Sequence, residues 1–140
     1  MANPGPATTV SNHPQQLSSN QALRLIASYQ SVNLNAAGDT VLPVIDTSLY
    51  SVSNIILTNV STSLTTATVG VFTGPGATGT TIRATATSTA NTSASVVAQL
   101  ATVVTTAVSS PNLYFNVGTP QGAAATGDVF VYGYDLTFLP

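Results

Sequence analysis

The side chains in this sequence that could act as acids, bases or nucleophiles are few, and their settings do not suit catalysis. The single His, His13, stands beside Pro14 in a stretch of Pro, Asn, Ser and Gln. A Ser-His-Asp triad needs an imidazole that the fold holds within hydrogen-bond reach of its nucleophile. Neither that setting nor a G-x-S-x-G elbow occurs. Four Asp are the only side-chain acids: Asp39, Asp46, Asp128 and Asp135. Paired carboxylates can hydrolyse glycosides when they face each other across a cleft, but Asp128 and Asp135 bracket one predicted strand and stand roughly 20 Å apart at the usual rise per residue. Pairing of either with Asp39 or Asp46 stays open. All four read more naturally as turn and edge residues, since Asp39 follows Gly38 and Asp128 follows Gly127.

The other chemical motifs are equally thin. Gly74-Pro75-Gly76-Ala77-Thr78-Gly79-Thr80-Thr81 has the glycine spacing of a phosphate-binding loop, but Thr80 occupies the place of the phosphate-contacting Lys. The segment also lies between strand-like runs, where a hairpin turn is expected. With one His and no Cys, no zinc or iron constellation can be assembled. Calcium needs only oxygen ligands, yet no D-x-D-x-D run is present. No cofactor is expected. Two Arg, Arg24 and Arg83, and no Lys cannot neutralise a phosphate backbone, so no nucleic-acid partner is expected. Asn59-Val60-Ser61 and Asn91-Thr92-Ser93 match glycosylation sequons, which matter only in a pathway that glycosylates them.

Composition then suggests what the chain does instead. Only six of 140 residues carry a formal charge, and the net charge is -2. Charged residues make up about a quarter of an ordinary domain and keep its surface soluble and self-repelling. Here Ser and Thr, roughly a quarter of the chain, must supply the polar surface. Short hydroxyls hydrate a surface without repelling neighbours, so such a surface packs against another protein at little desolvation cost. A structural or interaction role is expected, and not an enzyme.

The elements that would carry this surface are strands. The length suits one domain able to bury a core without disulfides or a structural metal. Residues 1–20, with Pro4, Pro6 and Pro14 among polar residues, read as an extended N-terminal arm that gains order against a partner, or else as a frayed tail. Residues 21–140 read as one domain. No basic segment followed by an apolar run marks a secretory signal, and the most apolar stretch, Ala94 to Val108, is too short and too polar to span a membrane.

Residues 20–31 are ambiguous between a short helix and a strand. From Val32 onward, β-branched runs alternate with Gly, Pro and Asn turns. Val32 to Asn35 and Thr40 to Ile45 flank Ala36-Ala37-Gly38-Asp39, predicting a hairpin. Tyr50 to Val60 alternates at first, with Tyr50, Val52 and Asn54 on one side, and then becomes continuously apolar. Thr66 to Thr73 puts Ala67, Val69 and Val71 on one face. Thr80 to Thr85, Val103 to Val108, Leu113 to Val117 and Asp128 to Phe138 follow, after a small-residue loop over 86–95 that leads into Val96 to Leu100. In the last strand Phe130, Tyr132, Tyr134, Leu136 and Phe138 share one face and Val129 and Val131 the other, as in a strand from the middle of a sheet. About eight short strands without a long helix predict an all-β fold, a β-sandwich of jelly-roll or Greek-key type.

From Tyr50 onward the sequence resembles small head proteins of tailed phages. The resemblance is carried by Ser53-Asn54-Ile55-Ile56-Leu57-Thr58-Asn59-Val60-Ser61-Thr62-Ser63, Ala67-Thr68-Val69-Gly70-Val71-Phe72-Thr73, Leu113-Tyr114-Phe115-Asn116-Val117 and Gln121-Gly122-Ala123-Ala124-Ala125-Thr126-Gly127-Asp128-Val129-Phe130-Val131-Tyr132-Gly133. It covers about two thirds of the chain and rests on composition and not on chemical motifs. It implies a jelly-roll cement or decoration protein, similar to that of the short-tailed Bordetella phages, made in the host cytoplasm and bound as a homodimer or homotrimer to the major capsid protein on the outer surface of the virion. Candidate contact residues are Pro4 and Pro6 in the arm, Tyr132 and Tyr134, and Arg24 and Arg83 as partners for carboxylates on a capsid protein. A carbohydrate- or receptor-binding module of a phage tail or fibre is the alternative, although Trp, a favoured sugar platform, is absent.

Overall fold

A computed structural model describes residues 23–102 and 106–137. The arm at 1–20, with Pro4, Pro6 and His13, lies outside the described residues, as do Val103 to Thr105 and Phe138. Among the described residues eight strands form in chain order: β1 (Arg24–Asn33), β2 (Gly38–Pro43), β3 (Tyr50–Thr58), β4 (Thr68–Gly74), β5 (Thr78–Thr87), β6 (Ala98–Leu100), β7 (Asn112–Thr119) and β8 (Thr126–Asp135). They make two four-stranded antiparallel sheets, one ordered β1-β8-β3-β6 and the other β2-β7-β4-β5. We call these the first and second sheet.

The pairings β1 with β8, β2 with β7, β3 with β6 and β4 with β5 are all present. They are what results when a long antiparallel ribbon, closed at the β4–β5 turn, is wrapped into two facing sheets. The expected jelly-roll β-sandwich is therefore the fold. Its core lies between the sheets and draws on both: Ile26, Ile55, Leu57, Val129 and Val131 from the first, and Leu42, Val69, Val71, Ile82, Leu113, Phe115 and Val117 from the second.

The wrapping explains where the expectations for single elements failed. Of residues 20–31, ambiguous in sequence, Arg24 to Ser31 belong to β1 and not to a helix. The hairpin expected at Ala36 to Asp39 does not form, because β1 and β2 belong to different sheets and the link between them crosses the sandwich. Turn chemistry marks a reversal of the chain but does not say which strand will pair after it. The sixth strand is Ala98–Leu100 on the edge of the first sheet. Within the predicted Val103 to Val108 strand, the described Val108 makes only an isolated bridge to Tyr50.

The last predicted strand is interior, as its two apolar faces implied: β8 lies between β1 and β3. Both neighbours are irregular beside it, between Leu25 and Ala27 in β1 and between Val52 and Asn54 in β3. The residue of β8 at this level is Gly133, paired to both Arg24 and Val52. A Cβ built there would stand 2.0 Å from the Ser51 carbonyl oxygen. The extra residues bend the flanking strands over the central one, and only glycine lets the backbones come so close. The irregularity in β3 also reverses its phase: Tyr50 and Val52 are buried, and beyond it Ile55 and Leu57 take over that role while Asn54 does not.

Candidate interaction surface

The few charged side chains are largely engaged inside the fold. Arg24, on β1, places Nη1 3.1 Å from Asp135 Oδ2 at the end of β8 and donates from Nη2 to the Ile45 carbonyl. Asp135 Oδ1 accepts from the Thr47 hydroxyl at 2.7 Å and from the Thr137 amide at 3.0 Å. Burial works against ionisation of this carboxylate. The bonds from the Thr137 amide and from the Thr47 and Thr137 hydroxyls, together with the Arg24 charge, outweigh it and hold Asp135 below the ordinary range. One end of the sandwich is thereby clasped across β1, β8 and the β2–β3 connection. The expectation that all four Asp are turn and edge residues is corrected for Asp135, which is 3% exposed. Arg24, expected as a contact for another protein, already has its carboxylate in the same chain.

Asp39 and Asp128 brace the backbone. Asp39 accepts from the Asn116 side chain and from the Gly76 amide in the β4–β5 turn. Asp128 accepts from the Ser31 amide and the Asn59 side chain. Both Ser31 and Asn59 adopt positive φ, 55° and 51°, so Asp128 secures two left-handed backbone positions at once. The Gly-rich segment is the hairpin turn between β4 and β5, with Gly76 and Ala77 also at positive φ.

Arg83 departs furthest from its expected setting. It lies in β5, the edge strand of the second sheet, yet is only 6% exposed. The β4–β5 ladder is irregular on both sides of the Val71–Arg83 pair. The guanidinium runs back along this gap, with Nε 3.3 Å from the Val69 carbonyl and Nη2 3.5 Å from that of Thr87. Desolvation lowers its pKa. Arg83 thus donates to two carbonyls of this irregular ladder, and it is not a side chain held out toward a partner.

With five of the six charged side chains engaged within the chain and Asp46 exposed in the β2–β3 connection, the outer face of the first sheet is the most distinctive surface. Strand register aligns Ser28, Phe130 and Ile56 in one row, with Gln99 beyond, and Leu25, Tyr132 and Asn54 in the next; Tyr134 pairs with Ser51. Leu25, Ile56, Phe130 and Tyr132 are half-buried, and Tyr134 is 39% exposed. The polar groups among them include Asn54, whose Oδ1 accepts from Gln99 Nε2 at 3.0 Å. This face brings together Tyr132 and Tyr134, both expected as contact residues, and leaves Arg24 and Arg83 elsewhere. Leu25, Ile56 and Phe130 were not picked out as contact residues from sequence. A signal existed: β8 is apolar on both sides, whereas a sandwich buries only one.

Two polar side chains, buried Asn91 and half-buried Gln121, hold segments together in a way the sequence did not reveal. Asn91 is 0% exposed, donates to the Leu57 carbonyl and accepts from Ser88. It is therefore a core bracket, and its sequon is closed to glycosylation in the folded chain. Gln121 Oε1 receives the three successive amides of Thr65, Thr66 and Ala67 at 3.1–3.2 Å, fastening the β3–β4 connection to the β7–β8 connection.

Among the described residues no three of His, Cys, Asp or Glu gather in a way that could hold a metal ion, and no helix is long and apolar enough to cross a membrane. What fold and surface define together is a jelly-roll β-sandwich in which five of the six charged side chains bond within the chain and Phe130, Tyr132 and Tyr134 stand on the outer face of the first sheet. No family model, no curated protein and no solved structure matches the chain.

Proposed function

We propose that this chain is a non-enzymatic structural protein of a phage virion, a cement or decoration protein that binds the outer surface of the capsid and stabilises contacts between capsomers. The observation that carries the reading is the way the charges are used. Arg24, Arg83, Asp39, Asp128 and Asp135 all bond within the chain, leaving hydroxyls, amides, aromatic rings and the exposed Asp46 carboxylate for outside contacts. A surface of this kind is released from water cheaply and gains little from long-range attraction. It suits permanent residence in a lattice where each contact is repeated by symmetry. Any ligand that binds only the assembled shell adds its binding free energy to the intact state. The partners in this reading are the major capsid protein and further copies of the chain, with no nucleic acid.

The test is the copy number of the chain in purified particles relative to the major capsid protein. Abundance near that of the capsid protein supports the proposal. A few copies per particle would move the chain to the tail, and absence from particles would overturn the reading.

A further inference from the structure

A four-stranded sheet in a two-sheet sandwich has one face in the core and one outside. In the first sheet the outside face is built like an interior. Phe130, Tyr132 and Tyr134 form a ridge along β8, with Leu25 and Ile56 beside it on the two neighbouring strands. Between these bulky groups stand small residues, Ser28 and Ser51, paired to Phe130 and Tyr134. No charged side chain belongs to these central rows. Asp128 lies further along β8, paired to Thr58, with both carboxylate oxygens already bonded to Ser31 and Asn59.

We infer that this face is the interface of a two-fold symmetric homodimer, in which the outer faces of the first sheets of two copies pack against each other. The occupant follows from charge and shape. Central rows without ions are matched by rows that bring none to be desolvated, and a second copy of the same face meets that condition, with Asp128 at its margin already bonded within its own chain. A capsid protein of ordinary composition would have to avoid burying its own charges there. An aromatic ridge flanked by small residues is also self-complementary: under a two-fold operation, the ridge of one copy lies over the trough of the other, as in face-to-face sheet packing. Tyr and Phe are enriched in such interface centres, and the Tyr hydroxyls, with the Asn54–Gln99 amides, supply polar contacts. At the usual strand spacing and rise, the sheet offers a flat footprint on the order of 500 Å². Side-chain relief raises this toward the about 800 Å² per partner of a standard interface.

The inference deepens the self-association in the proposed function by naming its surface and symmetry, and it is tested on the isolated full-length chain without particles. Sedimentation equilibrium of the wild type should give a dimer at micromolar concentration. Tyr132→Glu should weaken it by about a hundredfold and the milder Tyr134→Glu by about tenfold. Val41→Glu, at a 44% exposed position on the second sheet, should leave it unchanged, with circular dichroism confirming that all three variants fold. A monomer at every concentration, a trimer, or a dimer broken by Val41→Glu but not by Tyr134→Glu would each overturn the inference. Particle binding is read separately. A dimer that decorates no particle sinks the capsid reading alone, and a monomer that still decorates sinks the dimer alone.

Discussion

Tyr50 shows how much of the fold can depend on one polar atom. Its ring is fully buried and its hydroxyl donates to the Ser110 carbonyl at 2.8 Å. Burial pushes its pKa up to about 12. The folded state therefore prefers the protonated phenol more strongly than the unfolded chain does. The resulting stability is complete below pH 10 and is lost as pH rises from about 10 to about 12, an amount on the order of 2–3 kcal/mol. Thermal unfolding across that interval should show a falling midpoint, and Tyr50→Phe should flatten the fall at a cost near 1 kcal/mol at neutral pH. At the acid end, Asp135 acts with the opposite sign. Its contribution is full above the ordinary aspartate pKa and is withdrawn as pH falls through the lowered folded value. Asp135→Asn should remove that acid dependence and lower the melting temperature at neutral pH, because Arg24 would lose its carboxylate. Neither role was legible in the sequence. An aromatic at the start of a predicted strand announces burial, but its hydroxyl partner lies sixty residues away, and the partners of Asp135 come from three separate segments.

At the scale of elements, patterning identified most strands and their faces: Ala67, Val69 and Val71 turn inward as their alternation predicts. It failed where the ladder is irregular. The phase change in β3 hides the fact that Ile55 and Leu57 continue the inner face begun by Tyr50 and Val52, since period-two reading assumes an unbroken pleat. The same limit hid the task of Arg83, which depends on irregular pairing between β4 and β5. Two substitutions probe such positions. Gly133→Ala should be strongly destabilising, by about 3 kcal/mol or more, because a methyl group there meets the Ser51 carbonyl. Ala77→Gly should act in the other direction. Ala77 sits at φ 58° in the β4–β5 turn, where a Cβ costs about 1 kcal/mol, and glycine recovers part of that after its larger unfolded-state entropy. Chemical denaturation of both variants, compared at equal m-value, measures the two effects.

The whole molecule is a wrapped ribbon whose most distant pairings join its two ends, β1 to β8. Non-local pairing of this extent makes folding slow compared with helical domains of similar size, and refolding should occupy milliseconds to seconds in stopped-flow fluorescence of the five Tyr. The jelly-roll class was legible because eight β-like runs and no long helix leave few architectures open. The order of strands within the sheets was not, since it is set by which ribbon arms face each other and not by local chemistry. The candidate surface was half legible for the same reason: Tyr132 and Tyr134 come from one strand, but the residues beside them come from β1 and β3, and only the sheet order makes them neighbours.

The placement of the two Arg has a practical consequence for digestion. Trypsin has only Arg24 and Arg83 to cut after in the whole chain. The first is pinned in the clasp at the start of β1 and the second is nearly sealed within β5. Cleavage requires the backbone around each bond to open away from its sheet, so the native protein should survive trypsin doses that shred lysine-rich neighbours. Even when it is unfolded, digestion yields three pieces, 1–24, 25–83 and 84–140, two of them too long for routine peptide counting. A chain present in many copies would thus be undercounted by the commonest proteomic protocol, and a protease that cuts beside aromatic or aliphatic residues is the right choice for the copy-number measurement.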